Sequence, residues 1–154
     1  MNLSDLIDPQ SILPAVKATS KRQTIQVLSA KGAELTGIDE RQIFDTLMER
    51  ERLGSTGIGG GIAIPHGKIA GLDRIYGALA RISRPIDFEA IDDQPVDLVF
   101  MLLAPEGAGA DHLKALARIA RVLREGAVPE RLRAAGDASA LSSILSEGAA
   151  PSAA

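Results

Sequence analysis

The 154-residue chain has no cysteine and no tryptophan, and only two histidines, one tyrosine and three phenylalanines. Lack of cysteine excludes disulfides, thiolate metal sites and cysteine nucleophiles, and with two histidines a zinc site would need several carboxylate ligands. Scarce aromatics argue against stacking on nucleic-acid bases. Excess positive charge is missing too: the formal net charge is −3, and basic residues never run longer than a pair. Nothing is available to neutralise a phosphate backbone, so nucleic acid is not expected as a partner. No apolar run approaches the length of a membrane span, and the segment Met1 to Gln10 lacks the basic and apolar regions of a signal peptide. A cytoplasmic protein with no metal, no cofactor and no membrane insertion is expected.

What is present is 45% hydrophobic content, mostly Ala, Leu, Ile and Val, enough for one domain with an aliphatic core. The expected domain covers residues 1–147, with 148–154, rich in Ala, Ser, Gly and Pro, as a frayed tail. Ser11 to Val16 carries Pro14 and suits an edge strand or an extended lead-in better than a central strand. Thr19 and Ser20 offer an N-cap to a first helix carrying Ile25, Leu28 and Leu35 and ending near Gly37. Asp39 and Gln42 have the spacing of a capping box, opening a second helix with a stripe of Ile43, Phe44, Leu47 and Met48 that runs to about Leu53. Gly54 to Gly61 is too rich in glycine for a regular element and predicts a loop. Ile75 to Ile82 and Val96 to Leu103 predict strands, the second apolar enough to be buried on both faces. Leu113, Leu116, Ile119, Ala120 and Leu123 predict a third helix, and short helices follow at Pro129 to Ala135 and Ala138 to Leu145. Helices interleaved with strands predict an α/β fold, a single three-layer domain with a central sheet flanked by helices.

The glycine-rich segment invites a nucleotide-binding reading, which spacing rejects. Five residues separate Gly61 from Gly67 where a P-loop has four, and Ile69 stands where the Mg²⁺-binding hydroxyl belongs. The dinucleotide fingerprint fails because its third glycine falls on Ile62 or Ile64. What remains is a loop of exposed amides leading to one histidine, His66, which suits an anion held beside an imidazole. A lone loop histidine is most often an ordinary surface residue, but two neighbours change its reading. Arg50 lies on the edge of the second helix's apolar stripe, at the end that delivers the loop, where a guanidinium could clamp a phosphate. His112 falls in the first turn of the third helix, capped by Asp111 or a residue just before it, where the helix dipole disfavours the imidazolium. Lys68 reads as a solvated charge and is given no role.

The stretch Leu53 to Lys68, L-G-S-T-G-I-G-G-G-I-A-I-P-H-G-K, resembles the active-site signature of the fructose/mannitol class of enzyme IIA proteins of the phosphoenolpyruvate-dependent phosphotransferase system, most of all its nitrogen-regulatory branch. Ala90 to Pro105 and His112 to Leu123 are similar to the same family, in the same order, and the similarity runs from about Leu3 to Leu145. The resemblance implies a mixed sheet and a phosphohistidine at His66, with His112 as second active-site histidine and Arg50 as the phosphoryl-contacting arginine. It also implies binding by the loop residues Ser55, Thr56, Gly57 and Gly59. The family usually has Asn where this chain has Gly60. A histidine-containing phosphocarrier protein is the implied donor, and regulatory targets such as potassium-transport or stringent-response proteins are the implied partners. A sugar-specific enzyme IIA passing phosphate to an enzyme IIB, and an unphosphorylated binding module, are the rival readings.

Overall fold

The computed structural model describes residues 3–149, with side chains described through residue 147. Strands are β1 (Ile12–Val16), β2 (Gly57–Gly59), β3 (Ile62–Ala63), β4 (His66–Ile69), β5 (Tyr76–Ile86) and β6 (Val96–Pro105). Helices are α1 (Lys21–Thr36), α2 (Glu40–Leu53), α3 (Ala110–Arg124), α4 (Val128–Ala134) and α5 (Ala138–Ala149). All six strands form one mixed sheet in the order β1-β5-β6-β3-β2, with β4 also paired to β6. β6 is its spine: antiparallel to β5, and parallel to β3 at Leu98 and Val99 and to β4 from Leu102 to Pro105. As the apolar run predicts, Val96 and every residue from Leu98 to Ala104 are fully buried. Each large aliphatic or aromatic side chain there contributes about 1.5–3 kcal/mol of transfer free energy.

Alternation along β6 divides the core between the two faces. Leu98, Phe100 and Leu102 join Ile119, Leu123, Leu132, Leu141 and Leu145 from α3, α4 and α5. Val99, Met101 and Leu103 join Ile25, Leu28, Ile43, Phe44 and Leu47 from α1 and α2. This is the expected three-layer α/β domain. β1 lies at the sheet edge, where Pro14 costs no ladder bond, and runs parallel to β5. α1 starts at an N-cap formed by Ser20, whose side chain accepts from the Gln23 amide, and stops at Gly37.

Several expectations need correction. Asp39 caps α2 by accepting from the Gln42 amide, but the capping box is not reciprocal, because the Gln42 carboxamide donates to the Ala70 carbonyl instead. The glycine segment is not all loop: Gly57–Gly59 and Ile62–Ala63 form a small antiparallel hairpin, held in place by pairing of β3 with β6. β5 runs four residues beyond Ile82, and α5 runs to Ala149 rather than Leu145. Of the tail expected from residue 148, residues 150–154 lie outside the described ones. On α3 the buried face is His112, Ala115, Ile119, Val122 and Leu123, while Leu113 is 64% exposed. The apolar stripe begins one residue earlier than the leucines suggest, and its first position is a histidine.

Candidate functional site

The site grows from the last turn of α2. Helix geometry ends at Gly54, and the two residues before Arg52 point their charges into opposite surroundings. Arg50 donates through Nη1 to the Gly54 carbonyl at 2.9 Å, which fixes its guanidinium beside the loop. The Glu51 side chain is only 2% exposed and pairs with Lys21 of α1 at 3.1 Å. The Glu51 carboxylate accepts from the Thr56 amide at 3.1 Å and from the Thr56 hydroxyl. Ser55 donates its hydroxyl to the Phe88 carbonyl at 2.6 Å and accepts from the Gly57 amide. Both hydroxyls expected to face a ligand therefore have partners within the protein.

Gly57 lies against the 87–95 segment, where an added Cβ would meet the Cβ of Ala90 at 2.7 Å, so only glycine fits. The hairpin tip at Gly60 is tied from two sides. Its amide donates to Asp92 at 3.0 Å, and its carbonyl accepts from Arg133 of α4 at 2.7 Å. Arg133 in turn forks onto the Asp97 carboxylate. Donation by the Gly60 and Gln94 amides holds the Asp92 carboxyl below its ordinary value.

From this hairpin β3 leads through Ile64 and Pro65 to His66, the first residue of β4, opposite Leu102 of β6. Pro65 needs no partner for an amide, and its carbonyl accepts from the Leu102 amide at 2.9 Å. His66 and Lys68 alternate with Gly67 and Ile69, whose neighbours are on α2 and its face of the core. His66 is thereby turned toward α3. There His112 lies in the first turn, the ring centroids 5.5 Å apart and the planes inclined by 47°. Gly109, not Asp111, is the N-cap of α3, and no side chain caps it.

His66 Nδ1 lies 2.7 Å from the Ile64 carbonyl. A carbonyl has no proton to give, so Nδ1 is the donor, and in the neutral ring Nε2 keeps its lone pair. Burial lowers the His66 pKa and the Arg50 charge lowers it further, outweighing the opposing effects of the Ile64 bond and Glu51. Burial, then the charges of His66 and Lys68, lower the pKa of His112. Two neutral imidazoles therefore face each other at neutral pH. The Nδ1 of His112 is buried without a hydrogen-bond partner among the described residues. Among the described residues no group of three or more acidic, histidine or cysteine side chains is arranged to hold a metal.

One imidazole with a fixed tautomer, a second imidazole and an arginine beside it can take up an anionic electrophile at Nε2. Comparison with known proteins gives the family. Residues 5–148 match the family model described as phosphoenolpyruvate-dependent sugar phosphotransferase system, EIIA 2. The chain belongs to this enzyme IIA family. It is 60% identical to the nitrogen regulatory protein of Bradyrhizobium diazoefficiens, over 94% of this chain and 95% of the relative. Nitrogen regulatory protein IIA-Ntr of Neisseria meningitidis superposes with a TM-score of 0.88 at 32% identity, covering 93% of this chain and 98% of that one. The mannitol IIA of Escherichia coli shares the fold, with a TM-score of 0.76 at 19% identity over 90% of this chain and 98% of that one. Within the enzyme IIA family this chain stands in the nitrogen-regulatory branch, as its glycine-loop signature suggested.

The structure brings Arg50, His66, His112 and the 54–61 segment of this enzyme IIA together. It also adds residues that the sequence did not single out. Glu51, Lys21, Asp92, Asp97 and Arg133 tie the loop to α1, α4 and the β5–β6 connection. Only Glu51 left a local trace, as an acid in the last turn of a helix, where the dipole disfavours it. Lys68, given no role, has a charge close enough to depress the pKa of His112.

Proposed function

We propose that this enzyme IIA is the phosphoryl carrier and regulator of a nitrogen-related phosphotransferase system, with His66 Nε2 as acceptor. The observation that carries the reading is the 2.7 Å contact from Nδ1 to the Ile64 carbonyl, which leaves the other ring nitrogen as the nucleophile. The lone pair of Nε2 attacks the phosphorus of a phosphohistidine on a histidine-containing phosphocarrier protein. A new N–P bond forms as the donor's N–P bond breaks, and that bond's electron pair returns to the donor imidazole. Neutral His66 is the reactive form, and the depressed pKa keeps it populated at cytoplasmic pH. Arg50 supplies a fixed positive charge for the phosphoryl oxygens, and His112 supplies a neutral donor from the other side. Gly57 and Gly59 let the backbone approach closely, while Ser55 and Thr56 shape the loop. Leu53, Ile91 and Leu113, all strongly exposed, lie on segments adjoining the site and suit docking of protein partners. Regulatory targets, such as potassium-transport or stringent-response proteins, then read whether His66 carries the group.

The test is intact-mass spectrometry after incubation with phosphoenolpyruvate, an enzyme I and a phosphocarrier protein. One acid-labile phosphoryl group on the wild type, absent from His66→Ala, is the expected result. No addition while the phosphocarrier itself is phosphorylated would overturn the reading.

A further inference from the structure

Glu51 is a buried acidic residue joined to His66 by consecutive hydrogen bonds. Its carboxylate accepts from the Thr56 amide and hydroxyl. The Thr56 carbonyl accepts from the Ile64 amide at 3.0 Å. The Ile64 carbonyl accepts from His66 Nδ1 at 2.7 Å. At the far end, Lys21 of α1 holds Glu51 at 3.1 Å and is shared with the exposed Glu89 at 3.2 Å. We propose that Glu51 is the positioning residue of the phosphohistidine site, its Lys21-anchored carboxylate setting, through Thr56 and Ile64, the orientation and tautomer of the His66 ring.

The links cross the α-carbons of Thr56 and Ile64, so the coupling is mechanical and not a polarised chain of conjugated groups. Its force comes from burial. A carboxylate this enclosed must keep its donors, because an unmet charge in the interior is far more costly than an exposed one. The Thr56 backbone is held to it by two donors from one residue, and the position of its carbonyl decides where Ile64, and hence the acceptor of His66 Nδ1, can lie. Glu51 also opposes Arg50 in the field at His66, one charge raising and the other lowering the imidazole's proton affinity. The inference rests on the proposed function for its catalytic consequence, but not for its structural one.

The experiment compares full-length wild type, Glu51→Gln and the control Glu89→Gln, with ¹⁵N-labelled histidine observed by NMR and the rate of phosphoryl uptake from the phosphocarrier measured in parallel. Glutamine loses the ion pair with Lys21 and one of the two acceptor oxygens. Its His66 signals should move from Nδ1–H toward a mixture of tautomers, and uptake should slow by between about tenfold and a hundredfold, as expected for a misplaced reactive group. Glu89→Gln should leave both readouts unchanged. A folded Glu51→Gln protein with the wild-type tautomer and rate would overturn the proposal. Should that variant fail to fold, Thr56→Val removes only the hydroxyl donor and keeps the amide. A several-fold slowing with a tautomer shift would then support the proposal, and no change in either would overturn it. If the wild type accepts no phosphoryl group, the functional reading falls, while the tautomer comparison still decides the role of Glu51.

Discussion

The two imidazoles that face each other across 5.5 Å are held by opposite means. His66 is fixed by polar contacts: its Nδ1 is bonded to Ile64, and the hairpin before it is tied to Glu51, Asp92 and Arg133. His112 is held by packing. It occupies the first turn of a helix with no side-chain cap, and its Nδ1 has no partner among the described residues. A nucleophile needs one tautomer and one direction of attack, and hydrogen bonds provide both. A residue that only donates to a bound anion needs one N–H within reach and is served by either tautomer. Under the proposed function, this contrast is the ground for giving attack to His66 and assistance to His112.

Substitution should separate the two most sharply. His66→Ala should abolish phosphoryl uptake, whereas His112→Ala should still be phosphorylated, at a rate lower by on the order of a hundredfold. Quenched-flow uptake assays would show this, and equal, complete loss in both variants would erase the distinction. Within the glycine segment a second contrast follows from packing. Gly57→Ala drives a methyl into Ala90 at 2.7 Å and should cost about 2 kcal/mol by chemical denaturation. Gly60, at φ +66° with open space around its Cβ position, should accept Asn at a cost within about 0.5 kcal/mol, since Asn tolerates the left-handed region.

Acid should act on both histidines in the same direction. Each pKa is below its ordinary value of 6.5 in the folded state, so the unfolded chain binds more protons in the interval between the two values. The associated stability is fully present above about pH 6.5 and is lost as pH falls through the folded pKa values. Urea midpoints measured from pH 8 to pH 5 should therefore stay level and then fall, with a shallower fall in His112→Gln. A midpoint that rises on acidification would contradict the neutral pair.

The parts of the molecule legible in the sequence are those with local causes. The nearly continuous apolar run of β6, the Ser20 cap of α1 and the stop at Gly37 all depend on neighbours in the chain. The short strands β2, β3 and β4 escaped because β6, more than thirty residues on, supplies the pairing for β3 and β4. His66, His112 and Arg50 were visible as chemistry-bearing residues at telling places. Glu51 was not, since its meaning depends on Lys21, thirty residues earlier on another helix. The misplaced phase of α3 has a similar origin: a histidine at the start of an apolar stripe reads as polar until its burial is seen.

The most direct measurement is the ¹⁵N and ³¹P NMR spectrum of the phosphorylated protein, which reports the ring nitrogen that carries the group. The account predicts phosphorus bonded to Nε2 of His66 with Nδ1 still protonated and bonded to Ile64. Phosphorus on Nδ1, or on His112, would contradict it.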